Sequence, residues 1–205
     1  MPAPTLETID LKREWKALYT ARQKPDIIEA PERRALAIEE SRQPGAETIG
    51  PMFGALYPVA YTMKFAIKKA RGINYPVMAP EAIYRTADFD PRVTEWKWQA
   101  AVAVPDIVTA ADLKAAVAAV RAKHGDLPLL DRVKLVKLPA GTQGRILHVG
   151  PYDAEQDTIA KLQAFVQGEG YRLGARHIEV YLSDPQKVAP ERIRTVIRYP
   201  LVKRR

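Results

Sequence analysis

The 205-residue sequence contains no cysteine and only three histidines, His124, His148 and His177. Disulfides, thiolate catalysis and cysteine-based metal centres are therefore excluded. Three scattered imidazoles without ligand spacing also argue against a metal site. No cofactor is expected. The glycines of "GEGYRLG" (168–174) lack a strand before them and a helix after them, as a phosphate cradle would require, and no serine–histidine–acid order is present. No run approaches the ~20 apolar residues of a membrane span. The start, "MPAPTLETID", has neither a basic end nor an apolar stretch, so no membrane association and a cytoplasmic location are expected. A helix-turn-helix is missing too: before residue 33 the pattern holds one short helix and a proline-interrupted extension.

The chain is 47% hydrophobic and 27% charged, enough for one good-sized core or two small modules sharing one. Its net charge is +8 and its pI near 9.6. The cations are spread along the chain, apart from "KKAR" (68–71) and the tail "VKRR". That dispersion suits a solvated surface and argues against a nucleic-acid site.

Asp10 is placed to cap a short helix running to Tyr19, with Leu11, Trp15, Leu18 and Tyr19 at helical spacing. "QKPDIIEAPE" then leads away in extended form, and residues 1–30 are expected to form an arm on a main domain of residues 31–205. "RRALAIEE" (33–40) alternates as a strand, and a helical pattern follows over about 52–70. There Leu56, Ala60, Met63 and Ile67 make one row, with Tyr57, Tyr61, Lys64 and Lys68 beside it. "EAIYRTA" and "TEWKWQAAVAV" are strand-like, the second placing Trp96, Trp98 and Ala100 on one face. Thr109 and Asp112 open a helix that Gly125 and Pro128 end, and this helix is expected to bridge two halves. "DRVKLVKL" and "QGRILHVG", joined around Gly141, predict a hairpin. A helix from about Glu155 and two strands, "RHIEVYLS" and "RIRTVIRYP", complete the chain. The order strand, helix, strand, strand thus occurs twice, at about 33–104 and 143–199. The fold expected is α+β, with two pseudo-symmetric strand-helix-strand-strand modules (about 31–105 and 130–200), mainly antiparallel sheets and a cleft between the modules.

Within "HIEVYLSD" (177–184), Ile178, Val180 and Leu182 share one strand face, and His177, Glu179 and Tyr181 the other. If that second face is also covered, Glu179 is a carboxylate among aromatics, costly unless paired or kept for a purpose.

"LYPVAYTMKFAIKKA", "WKWQAAVAVPDIVT", "RILHVGPYDAEQDTIAKLQAFV", "HIEVYLSDPQKVAPERIRTVIRYP" and the arm "LKREWKALYTARQKPDIIEAP" resemble stand-alone GyrI-like proteins, collinearly from about Ile9 to Lys203. The resemblance implies two such modules about a pseudo-two-fold, with a ligand cleft between them. Related domains are the effector-binding parts of multidrug-sensing regulators, in which a buried glutamate among aromatics accepts flat, often cationic, molecules. The matching position is Glu179. Some stand-alone members resemble detoxifying hydrolases that open the cyclopropane rings of DNA-alkylating natural products in the same cleft. The sequence departs from the family at "MAPEAIYRTAD", where Ala82 takes a glycine position and Ile83 and Tyr84 replace an aromatic pair, and at "ESRQPGAE", where the usual turn is glycine-rich.

The expected ligand-binding residues are Glu179, Trp98, Trp96, Tyr61, Tyr57, Tyr84 and His148. Glu179, Tyr152 and Tyr181 are the candidates for catalysis. Each has a plainer alternative. By spacing alone Glu179 reads as a water-facing carboxylate or one paired with Arg176 or Arg198, and it is the resemblance that points to the cleft. Trp96 and Trp98 are compatible with simple packing, the tyrosine–lysine row with a solvated helix face, and His148 and Tyr152, flanking "VGPY", with a structural pair. His177 is expected to lie beside Glu179 without a catalytic contact. The functions in competition are binding of a hydrophobic, planar or cationic aromatic compound by a monomer or homodimer, cyclopropane hydrolysis, and, from the family's name, protein-level inhibition of a DNA-handling enzyme.

Overall fold

The computed structural model describes residues 6–85 and 96–204. In chain order the elements are β1 (Glu7–Thr8), α1 (Leu11–Glu14), α2 (Lys16–Tyr19), β2 (Asp26–Ala30), β3 (Arg33–Glu40), α3 (Ala46–Arg71), β4 (Ile73–Asn74), β5 (Pro80–Tyr84) and β6 (Trp98–Val104). They continue with α4 (Ala110–His124), β7 (Lys134–Leu138), β8 (Gly141–Val149), α5 (Glu155–Gly168), β9 (Tyr171–Leu173), β10 (His177–Tyr181) and β11 (Arg194–Lys203). The outer ends of two expected strands, at residues 86–87 and 94–95, lie outside the described residues.

The main sheet has the order β2-β8-β11-β10-β5-β6-β3-β7, and every pairing in it is antiparallel. The halves β3-α3-β5-β6 and β8-α5-β10-β11 repeat one plan and meet where β5 pairs with β10. The doubled α+β architecture expected from the sequence is therefore present. The hairpin around Gly141 is not. β7 pairs with β3, whereas β8 pairs with β2 and β11. Each strand that precedes a module is thus added to the outer edge of the other one. Only residues 31–32 join β2 to β3 and only 139–140 join β7 to β8, so the two ends of the sheet are drawn together and the sheet curls.

α3 begins six residues before the expected start. Gly45 and Thr48 cap each other, and Thr48 Oγ1 also donates to the Gln43 carbonyl, which carries the helix through Pro51. Its row of Leu56, Ala60, Met63 and Ile67 is buried against Leu36, Ile38, Ala100 and Val102. α5 covers the other half of the same sheet face, with Leu162 and Val166 on Ile146 and Ile197. Gly144 allows that approach: a Cβ there would come within 3.0 Å of Val166 Cγ1 and 3.2 Å of Leu162 Cδ1.

The arm closes the opposite face. Asp10 caps α1 as expected, although the helix breaks at Trp15 before α2. Leu11, Trp15, Leu18 and Tyr19 are buried. Arg145 of β8 clamps Asp26 with two 2.7 Å hydrogen bonds, so β2 is held as part of the sheet. No described helix is long and apolar enough to cross a membrane.

Candidate functional site

Residues directly opposed in an antiparallel pair share a face. Glu179 stands opposite Ala82 and Ile197, His177 opposite Tyr84, and Tyr84 opposite Trp98. His177, Glu179, Tyr181, Tyr84 and Trp98 therefore occupy one face at the seam between the modules, between the areas covered by α3 and α5. Glu179 is buried, 5% exposed.

Both Glu179 oxygens accept hydrogen bonds. Tyr181 Oη donates to Oε2 at 2.6 Å and His177 Nε2 to Oε1 at 2.8 Å. Because the Tyr181 proton is committed, Tyr84 Oη donates to Tyr181 Oη at 3.1 Å. His177 Nδ1 meets Tyr199 Oη. His177 lies beside Glu179 as expected, and the hydrogen bond between them adds to that expectation. Two residues apart on an extended strand, the side chains lie next to each other, and an imidazole is long enough to bridge that spacing.

Glu155, the first residue of α5, was not among the expected site residues. It is buried, and its Oε1 has no hydrogen-bond partner, nor has Thr195 Oγ1. Burial, and then the charge of Glu179, push Glu155 up to about 9, so it is protonated at neutral pH. Donor atoms of Glu155, His177 and Glu179 lie within 4.8 Å of one another, a spacing a metal ion would accept. Both His177 nitrogens, however, already serve Tyr199 and Glu179. The arrangement therefore suits proton sharing better than metal binding.

The aromatic wall is only partly the one expected. Tyr84 stacks on Trp98 with centroids 5.6 Å apart. Trp98 is buried and gives its Nε1 proton to the Arg42 carbonyl, 2.8 Å. Tyr152, in the short turn before α5, meets the Tyr181 ring edge-on at 5.8 Å and is 40% exposed, so it forms the rim. Burial and the nearby Glu179 push Tyr152 up to about 12. Phe53 of α3, unforeseen, touches Tyr181 at 6.2 Å and starts a ladder through Tyr57 and Tyr61 to Phe65. Tyr57 is half-buried in that ladder. Tyr61 lies two rings out from Phe53 and is 46% exposed, so it is not brought to Glu179. Trp96 is buried in the main core. His148 binds Thr158 Oγ1 and the Pro151 carbonyl at 2.9 and 3.0 Å, which ties the "VGPY" turn to α5 and leaves its imidazole engaged in structure.

The acids and bases of the opposite face are separate. Arg198, one of the two arginines weighed as a partner for Glu179, instead binds Glu81 at 2.5 Å.

Comparison with known proteins agrees with this architecture. The sequence profile of the GyrI-like small molecule binding domain matches residues 23–202. A hydrolase encoded by lin2189 from Listeria innocua is 30% identical, with a TM-score of 0.84 over 96% of this chain and 100% of that one. Another hydrolase from Listeria innocua is 31% identical, with a TM-score of 0.82 over 95% of this chain and 100% of that one. The EcmrR C-terminal domain, 17% identical, shares the fold at a TM-score of 0.53 over 88% of this chain and 98% of that one. No curated protein sequence matches. The doubled module with its carboxylate at the seam, and the profile match across nearly the whole chain, place this protein in the GyrI-like small-molecule-binding family.

Proposed function

We propose that the seam cleft binds hydrophobic, planar cations, with Glu179 as counter-ion. One observation carries this reading. Glu179 is a buried carboxylate whose hydrogen-bond partners are one phenol, Tyr181, and one imidazole, His177, and among the described residues no lysine or arginine pairs with it. A buried charge without an opposite charge is costly, and an entering cation would relieve that cost. Tyr152 and Tyr181 would add dispersion and face-on attraction. Glu179→Gln keeps the shape and removes the charge. Titration with crystal violet should then show binding weakened by roughly 1–3 kcal/mol, about 5- to 150-fold, while a neutral aromatic of similar size loses much less. Equal losses for both ligands would overturn the assignment.

A second reading, ring-opening hydrolysis, is favoured by the protonated Glu155 beside Glu179 and by the hydrolase names of the two Listeria proteins. A protonated carboxyl set beside a second carboxylate is a pattern found in acid–base pairs. In this reading Glu179 takes a proton from water, whose oxygen bonds to a cyclopropane carbon. The strained carbon–carbon bond breaks, and its electron pair moves onto the conjugated carbonyl, which Tyr152 or Glu155 protonates. Tyr181 already donates to Glu179 and is better placed to orient it. Incubation with a cyclopropane-bearing alkylator and mass analysis should reveal a water adduct formed with turnover. Tyr152→Phe should then slow kcat about 10- to 100-fold with little change in KM. Consumption at the uncatalysed rate would leave binding alone.

A further inference from the structure

The face of the sheet opposite Glu179 holds a cavity of about 150 Å³. It sits where the two ends of the sheet converge, and among the described residues its lining includes Arg33, Arg85, Lys137 and Arg176 against one acid, Glu39. Ile83, Leu138 and Ile178 give it an apolar floor.

Behind it lies an unbalanced charge cluster. Arg33 and Arg198 are 2% and 0% exposed, and both direct Nη2 to the same oxygen of Glu81, at 2.7 and 2.5 Å. Tyr19 donates to the other oxygen at 2.5 Å, and Arg198 Nη1 donates to Gln143. Two buried guanidiniums thus share one carboxylate, leaving one net positive charge, and the Nε of each arginine is without a partner. Burial pulls Arg198 below its ordinary value, whereas Arg33, although burial opposes it, is held above its own by Glu81. At the mouth, Arg85 and Lys137 reach only exposed acids, Glu39 at 3.6 Å and Glu32 at 3.1 Å.

We propose that this cavity binds a small organic anion, a carboxylate on a compact apolar body, with Arg33 at its inner wall and Lys137 and Arg176 at its mouth. The charge surplus selects an anion over a neutral molecule. The isoleucine and leucine floor selects an apolar body over an inorganic ion, and a cavity of this size accepts about one benzene ring. The site is separated from the seam cleft by the thickness of the sheet, since Ile178 and Glu179 are neighbours pointing to opposite faces.

Benzoate is the probe, with benzyl alcohol as its neutral counterpart and sulfate as an anion without an apolar body. Calorimetric titration of the full chain should give a benzoate affinity at least tenfold above that of either control. Arg33 is bound into the buried cluster and its loss endangers folding, so the test uses the exposed mouth. Lys137→Gln combined with Arg176→Gln should weaken benzoate at least tenfold with little change in Tm. Ile178→Phe, which fills the floor, should abolish binding, and saturating crystal violet should not displace benzoate. Equal affinity for benzoate and benzyl alcohol, no effect of the double substitution, or displacement of benzoate by the cation would each overturn the proposal.

Discussion

Glu81→Gln is expected to lower the unfolding free energy by about 3–5 kcal/mol, because it leaves Arg33 and Arg198 buried without their shared counter-charge. Tyr19 would also exchange a charge-assisted bond for a neutral one, loosening α2 from the sheet. Burial alone would raise Glu81, but Arg33 and Arg198 outweigh it and hold the carboxyl below its usual range. A depressed value means stability that is present above the unfolded-state value of about 4.5 and is lost as pH falls through the folded-state value. The wild type should therefore lose stability on acidification faster than Glu81→Gln, and the gap between them should narrow below about pH 4.5. Urea denaturation at pH 7 and pH 3.5 measures both effects. A penalty under about 1 kcal/mol at pH 7 would mean that the arginines find other partners.

Glu155→Gln should act in the opposite sense and stabilise the protein increasingly as pH rises. A carboxyl raised from 4.5 to about 9 contributes stability that is fully present below pH 4.5 and is lost as pH climbs to about 9. Glutamine does not titrate. Each pH unit in that window is worth about 1.4 kcal/mol, so the variant should gain roughly 3 kcal/mol on the wild type between pH 5 and 7.5 and nothing further above about pH 9. Thermal melts of both proteins from pH 5 to 9.5 give the difference directly. A difference that stays constant with pH would show that Glu155 is not held neutral by the fold. A gain in stability accompanied by a loss of turnover would mark Glu155 as a group whose strain serves chemistry.

The doubled module was legible because its signals are local. Two-residue alternation in 33–40 and 177–181, and the Leu56–Ile67 row at helical spacing, each identify an element without reference to its partners. Strand partnership is not local. Nothing in the alternation of "DRVKLVKL" distinguishes β8, next in the chain, from β3, and the exposed edge of β3 decided the pairing. Period two set the strand face of Glu179, but its choice as a site residue came from the resemblance to GyrI-like domains, since spacing alone favours an ordinary surface carboxylate. Glu155 was missed because an acid in the first turn of a helix ordinarily serves the helix dipole, and only tertiary packing turns it into a buried carboxyl. Tyr61 shows the converse limit. Its row was right, but a row does not specify how far along the helix the cleft extends.

The exchanged edge strands also bear on how the chain acquires its fold. Asp26 must wait for Arg145, 119 residues later, and β3 stays open on one side until β7 has been synthesised. During translation the "DIIEA" segment would emerge long before β8, its neighbour in the main sheet, as an unpaired strand available to other chains. Closing contacts of such sequence separation makes folding slow relative to helical proteins of this length. Neither half has a complete sheet without a strand from the other, so a chain cut between the modules should yield two fragments that assemble only together.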